Sequence, residues 1–160
     1  MSEVYKMNYE VVTLKEKQVA GLTARTSNQD ENMTRIIGGL WQQFYGSGVY
    51  EAIPDKLNDC SIGLYSNYHD GAHDAYDVTV GCEVAKVGGL PAGVAAKTIA
   101  AGKYAKFVIK GHAQTAVADF WTELWGMALD RKFGCDFEEY QSGGDMENAE
   151  IHVYISLNDH

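Results

Sequence analysis

"MTRIIGGLWQQFY" (residues 33–45) and "VADFWTELWGMAL" (residues 117–129) are the stretches from which the fold is read. In the first, Met33, Ile36, Ile37, Leu40, Trp41, Phe44 and Tyr45 are apolar, in gaps that alternate between three and one. Val117, Phe120, Trp121, Leu124, Trp125, Ala128 and Leu129 repeat that alternation in the second. Such spacing is one face of an amphipathic helix. Leu40-Trp41 and Phe120-Trp121 hold equivalent places, 80 residues apart. The pattern predicts helices over about residues 28–45 and 115–133, the first opened by an Asn28/Glu31 capping box.

The flanks repeat as well. Before the first helix, "YEVVTLKEKQVAGLTART" reads as two strands split by a charged turn. Before the second, "AAKTIAAGKYAKFVIKG" is split at Gly102. "CSIGLYSNY" and "YDVTVGCEV" follow the first helix, and "CDFEEYQSG" and "AEIHVYISL" follow the second. Tyr65 matches Tyr140, and Asp77 matches Glu150. The offset drifts from about 85 to 73 along the chain, as loops of unequal length cause. Each half is β-β-α-β-β, about residues 8–85 and 93–157, joined by "KVGGLPAG" (residues 86–93). The expected fold is α+β: one domain over residues 1–160, two copies about a pseudo-two-fold axis, and an antiparallel sheet with helices on one face. A ligand groove is expected on the other face.

Composition bounds the function. The chain of 160 residues is long enough for a sizeable core, and 46% of it is hydrophobic with only two prolines. No apolar run approaches the ~20 residues that span a bilayer. The opening "MSEVYKMNYEVV" lacks the basic and apolar regions of a signal peptide, so a cytoplasmic protein is expected. Cys60, Cys82 and Cys135 form no CxxC pair and read as reduced, buried strand residues. The net charge of −9 repels nucleic-acid backbone and anionic lipid and suits cationic ligands. No helix-turn-helix, zinc finger or basic tail is present, so no direct nucleic-acid contact is expected. "GSGVY" lacks the lysine of a P-loop, and no G-x-S-x-G elbow occurs. His69, Asp70, His73 and Asp74 have a metal-like spacing but sit around Gly71 in a hairpin-type loop with no third cluster. A solvated loop is the expectation there, with no metal and no cofactor.

The remaining signal is aromatic and acidic. Neighbours on a strand point to opposite faces, so Glu138 and Glu139 cannot share one environment. If Ile151, Val153 and Ile155 pack under the helices, then Glu150, His152 and Tyr154 face the other way. Taking Phe137 as the apolar anchor of its strand puts Glu138 and Tyr140 beside Tyr154. Tyr65 joins from the first repeat, with Tyr50 and Tyr68 from loops. Aromatic walls with one carboxylate suit a lipophilic cation, and the same tyrosines also suit strands as such, with their hydroxyls reaching water. Trp41, Trp121 and Trp125 lie on the helices' core stripes, and Trp125 or Trp41 can reach the seam between the halves.

The doubled plan, the "FEEY" strand and the closing "IHVYISL" resemble the GyrI-like effector-binding family. That family includes the ligand domains of AraC-type and multidrug-sensing MerR-type regulators. "VVTLKEKQVAGLTARTSN" and "LWQQFY" resemble its stand-alone, integron-associated members, and the resemblance covers nearly the whole chain. It implies a small-molecule-binding protein for lipophilic, cationic drugs, acting by sequestration or through a regulator partner. Edge strands of such a sheet can pair between chains, so a homodimer is also open. In the family the glutamate of the "F-E-x-Y" strand pairs with cationic ligands, which points to Glu138. The closing-strand tyrosine, usually within "I-Y-I-P", points to Tyr154, with Ser156 in place of the proline. Glu150 is a second candidate acid. Two alternatives stay open from the same resemblance: a hydrolase of reactive cyclopropane-bearing compounds, and a gyrase-inhibitor-like interaction module.

Overall fold

In the computed structural model, residues 9–27, 31–57, 60–66, 75–127, 129–141, 147 and 149–158 are described. Among the described residues, eight strands and three helices run in the order β1 (Glu10–Leu14), β2 (Lys17–Thr26), α1 (Met33–Gly46), α2 (Val49–Ala52), β3 (Ser61–Ser66), β4 (Tyr76–Val84), β5 (Ala95–Ile99), β6 (Gly102–Gly111), α3 (Ala113–Trp125), β7 (Arg131–Tyr140) and β8 (Ala149–Leu157). Among the described residues, no helix is long and apolar enough to cross a membrane.

All eight strands join one antiparallel sheet in the order β1-β6-β8-β7-β3-β4-β2-β5. Exchanging the halves (β1 for β5, β2 for β6, β3 for β7, β4 for β8) reads that order backwards, so the duplication is a pseudo-two-fold axis between β3 and β7. The register agrees. The bounds of β1 and β2 shift by 85 onto β5 and β6, and those of β4 shift by 73 onto β8. β1 does not pair with β2 but crosses to β6, while β5 crosses back to β2. Each half thus lends its first strand to the other.

The helices sit on one face, as their apolar stripes require. Phe44 of α1 is buried with Ala20, Leu22, Val80, Cys82 and Val84, with Trp41 and Leu40 packed against them. Phe120 and Leu124 of α3 are buried with Phe107, Ile151, Val153 and Ile155. The helices are shorter than the sequence pattern predicts. α1 starts at Met33 with Asn32 at the N-cap position and no side-chain cap bond, so the Asn28/Glu31 box does not open it; Asn28 lies outside the described residues. α3 is capped by His112, whose Nδ1 accepts from the Thr115 N–H, and it ends at Trp125, where the Gly126 N–H closes onto Glu123 and Leu124. Residues 131–133, expected at the end of this helix, open β7 instead.

The opposite face is also apolar. Val19, Ile62, Leu64, Ile99, Tyr104, Cys135, Phe137 and Tyr154 form one buried cluster, against which Val12 and Leu14 pack. It draws on both ends of the strand order, so the sheet curls over it. Gly21 and Gly81 allow β2 and β4 to come that close: a Cβ at either would run into the carbonyl of Val80 or of Ala20.

Candidate ligand-binding site

The candidate site lies at the seam between β3 and β7. Directly paired residues in an antiparallel ladder share a face. Glu138 is opposite Gly63 on β3 and opposite Val153 on β8, and Val153 lies under α3. Glu138 therefore points to the helix face, between α1 and α3. This corrects the parity expected from the sequence. Phe137 is not under the helices; it stacks on Tyr154 in the cluster of the other face, with centroids 4.6 Å apart and planes at 16°. Tyr154 thus lies on the far side of the sheet from Glu138. The face expected to carry a groove is filled by that buried cluster.

Glu138 is only 2% exposed. Trp121 Nε1 donates to its Oε2 at 2.7 Å, Tyr65 Oη to the same oxygen at 2.9 Å, and Tyr140 Oη to Oε1 at 2.8 Å. Burial raises its pKa above the ordinary glutamate value, and the three donated bonds oppose that shift. Burial and the Glu138 charge push the Tyr65 and Tyr140 phenols well up, so at neutral pH both keep the proton they donate. Among the described residues, no Lys, Arg or His side chain forms an ion pair with Glu138.

Aromatic rings surround the carboxylate. Trp121 meets Tyr65 edge-on at 5.4 Å and 74°, and Trp41 meets Tyr140 edge-on at 5.0 Å and 76°. These two contacts are equivalent under the pseudo-two-fold axis. Both indoles are partly exposed, unlike the buried Phe44 and Phe120 on the same helices. Tyr76 lies 5.8 Å from Tyr65, its pKa pushed up to about 12 by burial and the Glu138 charge. Behind Trp121, the Arg131 guanidinium sits 5.9 Å from its ring and is held by Asp136 at 2.7 Å. Asp136 is wholly buried and also accepts from the Ser156 N–H at 2.9 Å.

Of the residues singled out in the sequence, Glu138, Tyr65 and Tyr140 come together. Tyr50 lies on α2 rather than in a loop; it packs 5.7 Å from Phe44 and from Tyr45, and Tyr45 stacks on Trp41. Glu150 is at the sheet periphery, 44% exposed, bonded to His152 at 2.8 Å and near Lys110 at 3.8 Å, away from Glu138. Those partners hold its carboxyl below the usual range, His152 most of all. Tyr68 and the His69–Asp74 stretch lie outside the described residues, as does the side chain of Trp125. No metal-type cluster of His, Cys, Asp and Glu occurs among the described residues. Cys82 and Cys135 are buried in the sheet, Cys82 with its thiol pKa raised to about 11, while Cys60 is half-buried. The residues around Glu138 that the sequence did not single out as candidates are Trp121, Tyr76 and Gly63. The equivalent places of Trp41 and Trp121 in the repeat were the available signal for the first.

The family model for integron-associated effector binding proteins, Cass2, matches residues 10–157. The chain belongs to this family. Among solved structures, this Cass2 chain is similar to an integron cassette protein from Vibrio cholerae, at 25% identity and a TM-score of 0.76, over 94% of this chain and 95% of that one. It is also similar to a bacterial transcription regulation protein from Staphylococcus aureus MU50, at 21% identity and a TM-score of 0.77, over 96% of this chain and all of that one. A third is SAV2435, solved bound to tetraphenylphosphonium, at 22% identity and a TM-score of 0.78, over 95% of this chain and 94% of that one. Comparison with curated proteins gives no match.

Proposed function

We propose that this effector-binding protein takes lipophilic cations at the seam between its halves, with Glu138 as counter-ion. One observation carries the reading: a buried carboxylate is bonded to three neutral donors and, among the described residues, to no basic group. A buried charge is costly unless paired. A cation that docks here supplies the pair, and the ring faces of Trp41, Trp121, Tyr65 and Tyr140 add cation–π attraction and apolar area. The tetraphenylphosphonium bound to SAV2435 is a ligand of that chemistry on the same fold. Tyr154 and Glu150 have no part in this reading.

Trp41 and Trp121 make the test direct. Titration with tetraphenylphosphonium should quench tryptophan fluorescence saturably, and neutral triphenylphosphine oxide should do so far more weakly. Equal responses to the two would remove the counter-ion from the account.

A further inference from the structure

The axis passes through the Gly63–Glu138 pair. In the β3–β7 register, Tyr65 is opposite Asp136 and Ser61 is opposite Tyr140, so a two-fold at the Gly63–Glu138 pair carries Tyr65 onto Tyr140. The outer strands keep the same axis: Gly63 pairs with Val80 and Val80 with Leu22, while Glu138 pairs with Val153 and Val153 with Phe107. The two tyrosines each donate to one oxygen of the single carboxylate. The two indoles meet them in near-identical edge contacts. The symmetry breaks at the axis itself, where one position is glycine and the other glutamate.

That break has a steric reason. A Cβ at Gly63 would meet Glu138 Oε1 first, at 3.1 Å, and then Trp41 Cζ2 at 3.5 Å. Two acids at the axis could not both be ionised, because like charges at that range oppose each other's ionisation. One acid serves both halves, and each half contributes one aromatic arm.

From this geometry we infer that the site selects cations with a central charge and two flat apolar arms, one for each half, and that the acid can stand at position 63 or 138. This rests on the reading of Glu138 as counter-ion. With glycine at 138, the nearest contact of a Cβ at 63, the one at 3.1 Å, is gone.

The experiment uses dibenzyldimethylammonium, with two flat arms, and benzylheptyldimethylammonium, with one flat arm and a matched carbon count. Calorimetry on the unaltered protein should show the dibenzyl cation about ten-fold tighter. Glu138→Gly should lose most of that affinity, and Gly63→Glu/Glu138→Gly should restore it to within about three-fold of the original, a small step on the tenfold-per-1.4 kcal/mol scale. A double variant that melts cooperatively yet binds as weakly as Glu138→Gly overturns the interchange. Equal affinity for the two cations overturns the two-arm selectivity, and this arm needs no variant to fold. If both cations bind equally and both need Glu138, the inference fails and the counter-ion reading survives. Indifference of both cations to Glu138→Gln sinks the counter-ion reading itself.

Discussion

Gly63 and Glu138 face each other across the β3–β7 seam, each at the other's equivalent position in the duplicated fold. The glycine leaves the room that the carboxylate fills. Three donated hydrogen bonds then hold the acid in place.

A methyl group at position 63 tests that fit. Gly63→Ala puts a Cβ 3.1 Å from Glu138 Oε1, which is held by the Tyr140 hydroxyl. The acid must shift against its own bonds, so a loss of about 1 kcal/mol in stability is expected. Denaturant unfolding should show a lower midpoint with an unchanged slope, and cation affinity should fall several-fold.

Trp121→Phe keeps a ring on α3 but removes the N–H that bonds Glu138 at 2.7 Å. A hydrogen bond to a buried charged group contributes about 2 kcal/mol. Unfolding at neutral pH should reveal a loss of that order. The bond also lowers the Glu138 pKa, so its removal should move the acid limb of cation binding to higher pH.

The pH dependence of the unaltered protein follows from the raised Glu138 pKa. The unfolded chain releases this proton near the ordinary value of ~4.3, whereas the folded protein holds it to higher pH. Stability without ligand should therefore fall as pH rises through that window. Cation affinity should rise through the same window, because ionisation supplies the counter-ion. Melting curves of the parent and Glu138→Gln across pH should show this fall in the ligand-free parent, a flatter profile for the parent saturated with tetraphenylphosphonium, and no such difference between the two conditions in the variant.

Asp136 and Glu150 should behave differently although both are paired acids of the second half. Asp136 is wholly buried with Arg131 at 2.7 Å, so Asp136→Asn should cost about 3 kcal/mol and loosen the guanidinium behind Trp121. Glu150 is solvent-exposed, and Glu150→Gln should leave both the melting temperature and cation binding unchanged.

The fold was legible in the sequence because the same apolar alternation and strand runs occur twice. Period and patterning place the strands and helices, and the bounds of β8 fall on the "AEIHVYISL" run. The face of Glu138 was not legible, for a physical reason. Strand parity assigns relative directions, and turning them into inside and outside needs a sheet with one apolar face. This sheet buries both faces, one under α1 and α3 and one under its own curl, so Phe137 and Val153 are both core residues on opposite sides. Phe137 was the wrong anchor, and the parity drawn from it put Tyr154 on the face of Glu138, where the resemblance also pointed. Trp41 and Trp121 looked like core residues because a helical stripe does not distinguish a ring beneath the helix from one at the seam.

The most direct test of the counter-ion is calorimetric titration of tetraphenylphosphonium into the parent protein and into Glu138→Gln at neutral pH. Saturable binding to the parent is expected, with at least about ten-fold weaker binding to a variant that remains folded, the order expected for loss of a desolvated charge pair. Equal affinity in the two proteins would contradict the counter-ion reading.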